Sequence, residues 1–406
     1  MNGSSTPDDR EAGALVGPID LVRDRSPLLT ALAAEYRNGR PLCGTTIAVS
    51  APVTPHTGLF VETLTDAGAD VRLSGESGST HDEVVAALEG NDGVEVFAEE
   101  GMDESALRTA RRTVLESEPD LIADDGGYLI ELVHEAYPDI AAEVLGACEQ
   151  TTGGIRTVRA IDDGNGLAFP VYDVNGTPVK QRLDNVHGTA ESTLSAIASV
   201  TNAMIAGSTW AVVGFGRCGR GIARKLHALG ARTIVTEIDP RPALDAAVEG
   251  HDVRPLNDAV ARAKFVLTVT GSADVLGREQ FDRMGDRTVL ASAGSEREID
   301  TDALAGMAVS VESIAPGIDR YVLEDGRGID LLAAGEVVNL AAPNRAGNPA
   351  EVMDVTFAAM AGGLRELLER AGELESGIHP LPDRIDRTIA AEKLRTMGVE
   401  LDEQDE

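Results

Sequence analysis

Short apolar runs alternate along the chain with longer amphipathic stretches, the pattern of an α/β protein built on parallel strands. Thr45–Ser50 reads as a first strand and Gly58–Ala67 as the helix after it. Val71–Leu73, Val94–Phe97 and Leu121–Ala123 continue as strands with helices between them. Between Thr151 and Asn185 the apolar rhythm fades and Gly, Asp and Asn accumulate. Asp162-Asp-Gly-Asn-Gly and Asn175-Gly are turn signals, so this stretch predicts a loop-rich connection. Gly188–Ala206 predicts a long helix, and a second βα array begins at Trp210.

That second array holds the sharpest local signal, Trp210-Ala-Val-Val-Gly214-Phe-Gly216-Arg217-Cys218-Gly219. It follows an apolar strand, opens a helix and precedes a strand, Thr233–Thr236, that ends at Glu237. A dinucleotide-binding turn requires this context. Gly214 permits the tight turn, Gly216 lets the backbone approach a pyrophosphate, and Gly219 lets the helix pack close to the strand. Peptide N–H groups at the helix start, around Arg217 and Cys218, then face the phosphates. Glu237 is placed to accept from ribose hydroxyls and to repel the additional phosphate of NADP, so the expected cofactor is NAD.

Composition narrows the function classes. The 406 residues predict two domains, and 68 acidic against 35 basic residues give a formal net charge of -33. A basic face for nucleic acid is missing, which argues against such a partner. The acid is spread along the whole chain and Arg is preferred to the four lysines, a pattern suited to a salt-rich cytoplasm. Three widely spaced cysteines, Cys43, Cys148 and Cys218, imply no disulfide framework. The first nine residues lack the features of a signal peptide and no apolar run reaches about 18 residues, so a soluble cytoplasmic protein without a membrane partner is expected. The last six residues carry four acids and are expected to fray. No metal site is expected.

Five further motifs stand in a fixed order: Asp124-Asp125-Gly-Gly127, Glu149-Gln150-Thr151-Thr152, Lys180-Gln-Arg-Leu-Asp184-Asn185-Val-His-Gly188, Thr236-Glu237-Ile-Asp-Pro240 and Gly335-Glu-Val-Val-Asn339-Leu. Over about Gly44 to Ala361 they make the chain resemble the S-adenosylhomocysteine hydrolase family. The resemblance implies an enzyme in which NAD is recycled rather than consumed. The ribose 3'-hydroxyl is oxidised to a ketone, which acidifies the 4'-hydrogen; homocysteine thiolate leaves C5', water adds, and the hydride returns. Such chemistry needs positioned bases and a site that excludes bulk water. By the same resemblance Lys180 and Asp184 are catalytic at the ribose hydroxyls, and Asp125 faces the 4' and 5' carbons. Thr151, Thr152 and Asn185 hold the nicotinamide ribose and ring, and Asn339 its amide. Thr54, His56, Gln150 and Asn348 fall among the substrate contacts, and the partner is a small nucleoside thioether.

Departures from the family are uneven. Pro52 stands where a histidine is usual, and His56, on a Pro-rich loop before a helix, where a glutamate accepts the adenine amino group. Gln150 replaces a second glutamate near the ribose, Ser295 a histidine near the leaving thiol, and Asn348 a histidine near the adenine, with two extra residues before it. Thr189 replaces a cysteine beside the nicotinamide and Pro242 an asparagine near the cofactor ribose. The family's Lys- and Tyr-bearing tail, which reaches a neighbouring subunit's cofactor, is not matched. The cofactor fingerprint and the Lys180/Asp184 pair survive while much of the adenine and thiol shell does not, so redox chemistry is better specified than substrate.

Three alternatives stay open: the same chemistry on another nucleoside-like substrate, a simple NAD-dependent dehydrogenase of 2-hydroxy acids, and a non-catalytic NAD-binding relative. The dehydrogenase needs an Arg-Glu-His set downstream, yet no histidine follows Ser292 before His379. The expected architecture is a discontinuous α/β substrate domain over 1–187 and 347–385, a Rossmann NAD-binding domain over 188–346 inserted into it, and a C-terminal helix with an acidic tail over 386–406. The cleft is expected between the domains, where closure excludes water. A homo-oligomer is expected, as in the family, with apolar helices such as Gly188–Ala206 supporting it.

Overall fold

Short buried apolar runs build two sheets in the computed structural model, which describes residues 17–343 and 346–402. The signal-peptide reading of the first nine residues and most of the acidic tail lie outside the described residues. The first sheet contains β1 (Thr46–Ser50), β2 (Asp70–Ser74), β3 (Val94–Phe97), β4 (Leu121–Asp124), β5 (Gly146–Glu149), β6 (Pro170–Asp173) and, near the C-terminus, β15 (Gly377–Pro380). The second contains β7 (Thr209–Val213), β8 (Arg232–Thr236), β9 (Asp252–Val253), β10 (Phe265–Thr268), β11 (Thr288–Ser292), β12 (Ala308–Ala315), β13 (Ile318–Leu323) and β14 (Gly328–Leu332). Ile47, Ala48 and Val49 are buried, as are Trp210, Ala211 and Val212, because helices cover both faces of each sheet.

The two sheets share one winding. The first runs β15-β6-β5-β4-β1-β2-β3 and the second β12-β13-β14-β11-β10-β7-β8-β9. In each, the chain steps outward through three strands and then returns to the other side of the first. Ile47 therefore pairs with both Val71 and Leu121, and Trp210 with both Thr233 and Phe265. The strand order reverses between β1 and β4 and between β7 and β10. Such reversals open a crevice at the carboxyl ends of the strands, the usual ligand position in doubly wound sheets. The second sheet is not wholly parallel: β12, β13 and β14 form an antiparallel meander at its edge.

Three local expectations need correction. The 151–185 stretch is not loop-rich: it contains a helix, Thr152–Gly164, then β6, then the start of a π-helical turn, Lys180–Gly188. Ile155, Val158 and Ile161 form a stripe on that helix, and the Thr151 hydroxyl caps it by accepting from Gly154 N at 2.9 Å. The Asp-Gly-Asn-Gly segment lies at the end of this helix and beyond it. The helix expected over Gly188–Ala206 spans Thr189–Thr201 and stops where Asn202 turns left-handed, φ 49°. The helix expected from Gly58 begins at Pro55, with Thr54 as its cap. His56 therefore occupies a helical first turn, not a loop. At the far end, the final helix runs Asp383–Thr396, and its Asp386 carboxylate accepts from Val179 N at 3.2 Å, bracing the π-helical turn from below.

Candidate active site

Both reversals open into one cleft, with a cavity volume of about 350 Å³. The first sheet and its helices supply Thr54, His56, Asp125, Gln150, Thr151 and Thr152 to the wall. Gly216, Arg217, Cys218 and Thr270 come from the second. Lys180, Asp184 and Asn185 stand on the π-helical turn between them, and Asn339 and Asn348 close one side. Pro52, Thr189 and Ser295 also line the cleft. Arg156 ties the walls together, its guanidinium donating to the Gly271 carbonyl.

The chemistry-bearing pair is buried. Lys180 is 8 % exposed and Asp184 2 %, so Lys180 is not a solvated surface lysine. Their Nζ and Oδ2 atoms lie 2.5 Å apart. A π-helix widens the turn, and residues four apart stay neighbours on it. Asp184 is fully engaged: Thr356 Oγ1 donates to Oδ2 at 2.7 Å and Asn348 Nδ2 to Oδ1 at 2.8 Å. Asn348 in turn accepts from Ser192 Oγ at 2.8 Å and Asn339 Nδ2 at 3.2 Å. Asn185 Nδ2 donates to Asn175 Oδ1 at 3.1 Å, and Asn175 Nδ2 to Thr152 Oγ1 at 3.2 Å.

Asp125 follows β4 and is gripped by its neighbours. Gln150 Nε2 donates to Asp125 Oδ2 at 2.6 Å. Behind it, the Glu149 carboxylate accepts from Gly126 N (3.3 Å), Gly127 N (2.9 Å), Thr151 N (2.6 Å) and Thr151 Oγ1 (2.7 Å). One buried acid thus pins both the Asp125 turn and the start of the 152–164 helix. The Asp124 carboxylate accepts from Leu129 N and Ile130 N, both at 2.9 Å, at the start of the next helix. Burial pushes Asp125 up to about 6, against the opposing pull of Gln150 and Lys180. Burial also lifts Asp124 to about 7, and burial with repulsion from Asp124 and Asp125 lifts Glu149. His56, 8 % exposed, is pushed down to about 4, chiefly by burial and then by Arg25, so it is neutral near pH 7.

The second wall fits a dinucleotide. Gly214 turns with φ 101°, and a Cβ on Gly219 would overlap the Gly214 carbonyl oxygen, so the 217–228 helix approaches the strand end as closely as expected. A Cβ on Gly216 would meet no protein atom within 4 Å. Gly216 caps that helix without a side chain, which leaves its first N–H groups open to an anion. Glu237 reaches across the turn: Oε2 accepts from Phe215 N at 2.8 Å, and Oε1 from Ile238 N at 2.7 Å and Asp239 N at 3.0 Å. Oε2, which accepts from one donor only, retains a lone pair for a ribose hydroxyl. Glu237→Gln keeps an acceptor and removes the charge. Fluorescence titration of cofactor-free protein is expected to show the preference for NAD over NADP narrowed about tenfold.

Sequence reasoning missed several participants. Asn175 reads as an ordinary Asn-Gly turn, Ser192 as an anonymous helix residue and Glu149 as part of a motif without a task, and Thr356 drew no reading. Only the Glu149-Gln150-Thr151-Thr152 motif offered any signal, and it gave no geometry. Pro242 lies in the Pro240–Val248 helix and does not line the cleft. Among the described residues no group of His, Cys, Asp or Glu is arranged to hold a metal, and no helix is long and apolar enough to cross a membrane.

Comparison with known proteins agrees with this geometry. Residues 14–137 match the S-adenosyl-L-homocysteine hydrolase model and residues 185–345 the model of that family's NAD-binding domain. An adenosylhomocysteinase of Halobacterium salinarum is 42 % identical over 98 % of this chain and 94 % of its own. One from Aquifex aeolicus is 39 % identical over 93 % of this chain and 90 % of its own. The S-inosyl-L-homocysteine hydrolase of Methanopyrus kandleri is 39 % identical over 95 % of this chain and 91 % of its own. With a nucleotide turn and a buried lysine–carboxylate pair facing one cleft, and with relatives matching along nearly its whole length, the chain belongs to the S-adenosylhomocysteine hydrolase family of NAD-dependent hydrolases.

Proposed function

We propose that this protein cleaves a purine ribonucleoside thioether of the S-adenosylhomocysteine type through a transient 3'-keto sugar. The observation that carries the reading is the buried Lys180–Asp184 pair, facing the same cleft as Asp125 and the Gly216 turn. Bound NAD supplies hydride abstraction from the sugar and its later return. Gly214, Gly216, Arg217, Cys218 and Gly219 hold its pyrophosphate, Glu237 its adenosine ribose, and Thr151, Thr152, Asn185 and Asn339 its nicotinamide side.

The remaining steps fall to the chain's own groups. Lys180 Nζ, having first released its own proton to become a neutral amine, accepts the 3'-hydroxyl proton and later gives it back, and Asp184 holds the ammonium formed in between. Asp125 accepts the 4'-proton, which requires its ionised form and so a pH above about 6. Thr54, His56, Gln150 and Asn348 contact the substrate. A neutral imidazole offers one donor and one acceptor, whereas a carboxylate only accepts. His56 therefore suits a purine bearing a 6-oxo group as well as one bearing an amino group. The relatives named for S-adenosyl and S-inosyl thioethers make these the two substrates to compare.

The return of the chain to the first sheet as β15 supports a substrate domain over 1–187 and 347–385, with the Rossmann domain over 188–346 inserted and a C-terminal helical segment from 386. Three free thiols among the described residues support a reducing, cytoplasmic setting. A homo-oligomer completes this reading and is tested by light scattering. Protein purified in high salt is expected to carry NAD, seen by mass spectrometry of released small molecules. It is also expected to liberate free homocysteine from one or both thioethers without net NADH. Bound NAD with no thiol release from either substrate rejects the hydrolysis. Accumulating NADH under excess substrate favours a dehydrogenase instead.

A further inference from the structure

We propose that Gln150 is a positioning residue that holds Asp125 as an ionised, proton-accepting base by donating a side-chain amide proton to it. The inference rests on Asp125 acting as the base described above. β4 and β5 are neighbours with Asp124 opposite Glu149, so residues 125 and 150 emerge side by side at the carboxyl edge of the sheet. Gln150 is 3 % exposed, and its backbone N–H donates to the Asp124 carbonyl at 3.4 Å. The side-chain contact, Nε2 to Oδ2 at 2.6 Å, orients the amide: an ionised carboxylate only accepts, so the NH₂ faces Asp125 and the carbonyl points away. That carbonyl, Oε1, is buried and has no partner among the described residues, which leaves it to accept from a substrate hydroxyl.

The chemistry of the donor matters. An amide keeps its proton at every relevant pH, so its hydrogen bond favours the charged acid. The other groups acting on Asp125 are Lys180 and Asp184 on the π-helical turn, Glu149 at the end of β5, Glu76 after β2, and Asp124 and Tyr128 along its own segment. Most are acids, and only Lys180 among them is a cation. Of the influences that oppose the burial of Asp125, the Gln150 contact is the largest, ahead of Lys180. A glutamate at 150 instead places two acceptor-only groups at contact distance, and such a pair shares a proton. The pair then stays half-protonated well into the range where the wild-type base is free.

The test is Gln150→Glu, read in two ways. In the pH dependence of kcat, the acid-side midpoint is expected to rise by at least one unit from about 6, so the rate at pH 6.5 falls about threefold or more and recovers by pH 9. A purely structural lesion lowers the rate at every pH without moving the midpoint. Carboxyl ¹³C NMR of Asp125 in the resting holoenzyme is expected to show the same rise, and it needs no substrate. Should Gln150→Glu fold poorly, as judged by circular dichroism and retained NAD, Gln150→Ala also removes the donor and is expected to raise the midpoint less. Unmoved midpoints in a folded variant, with Asp125→Asn inactive, overturn the role of Gln150 and leave Asp125 as base. An Asp125→Asn variant within threefold of the wild-type rate overturns the base itself.

Discussion

Lys180→Ala is expected to lower turnover by about 10²- to 10⁴-fold, the range for loss of a positioned proton-transfer group, while NAD stays bound. The lysine contacts the acid that Thr356 and Asn348 also hold, and none of these lies in the Gly214–Gly219 turn. Removing it leaves the Asp184 carboxylate buried with two neutral donors and no cation, a situation that costs about 3 to 5 kcal/mol when a buried pair is broken. A lower melting temperature is therefore expected alongside the lost rate. Lys180→Arg separates the two effects. A guanidinium keeps the charge and cannot give up its proton, so stability is expected to recover in part and turnover is not. Thiol release, bound NAD and thermal unfolding, measured on the same preparations, check all three statements. Turnover of Lys180→Ala within tenfold of wild type sinks the proton-shuttle role.

Gly221→Ala is expected to damage cofactor retention and turnover together. A Cβ there would overlap the Val186 carbonyl oxygen. That carbonyl belongs to the π-helical turn carrying Lys180 and Asp184, and Gly221 to the 217–228 helix whose uncapped N-terminus is the one proposed above to hold the cofactor pyrophosphate. Both surfaces are backbone, so no side-chain rotation relieves the clash and the two elements must part. Overpacking of this kind costs about 1 to 3 kcal/mol, and a displacement of about 1 Å at a catalytic constellation costs about 10²-fold in rate. Gly216→Ala provides the contrast, because its methyl group meets no protein atom. Its melting temperature without cofactor is expected to match wild type, with the defect confined to NAD binding by calorimetric titration. A Gly221→Ala variant that keeps NAD and full turnover shows that the helix and the turn are not rigidly coupled.

Much of the site was legible in the chain, and the reasons differ by residue. The cofactor turn is a local object: strand, turn, helix and second strand follow one another within the span Trp210–Glu237, and backbone sterics at Gly214 and Gly219 dictate their arrangement. Lys180 and Asp184 are four apart, so the pair is local too. His56 shows the limit. Its identity marked it as a departure from the family, but its position as a buried, neutral residue in a helical first turn depended on where Pro55 and Thr54 start that helix. The 152–164 helix was obscured because turn-forming residues near its end masked the sparse stripe of Ile155, Val158 and Ile161.

What the amino-acid sequence determined by itself is the family, from the order of its motifs, the strand–turn–helix of the cofactor motif, and the lysine–aspartate pair, the last two because their residues lie close along the chain. Only the tertiary structure decided what surrounds them. Asn348 reaches Asp184 across 164 positions, Thr356 across 172, and Gln150 reaches Asp125 across 25. Glu149 binds a turn that precedes it by more than 20 residues. These contacts follow from strand order and register, above all from the return of the chain to the far side of β1 and of β7. That return brings distant segments to one crevice and sets which side chains hydrogen-bond there.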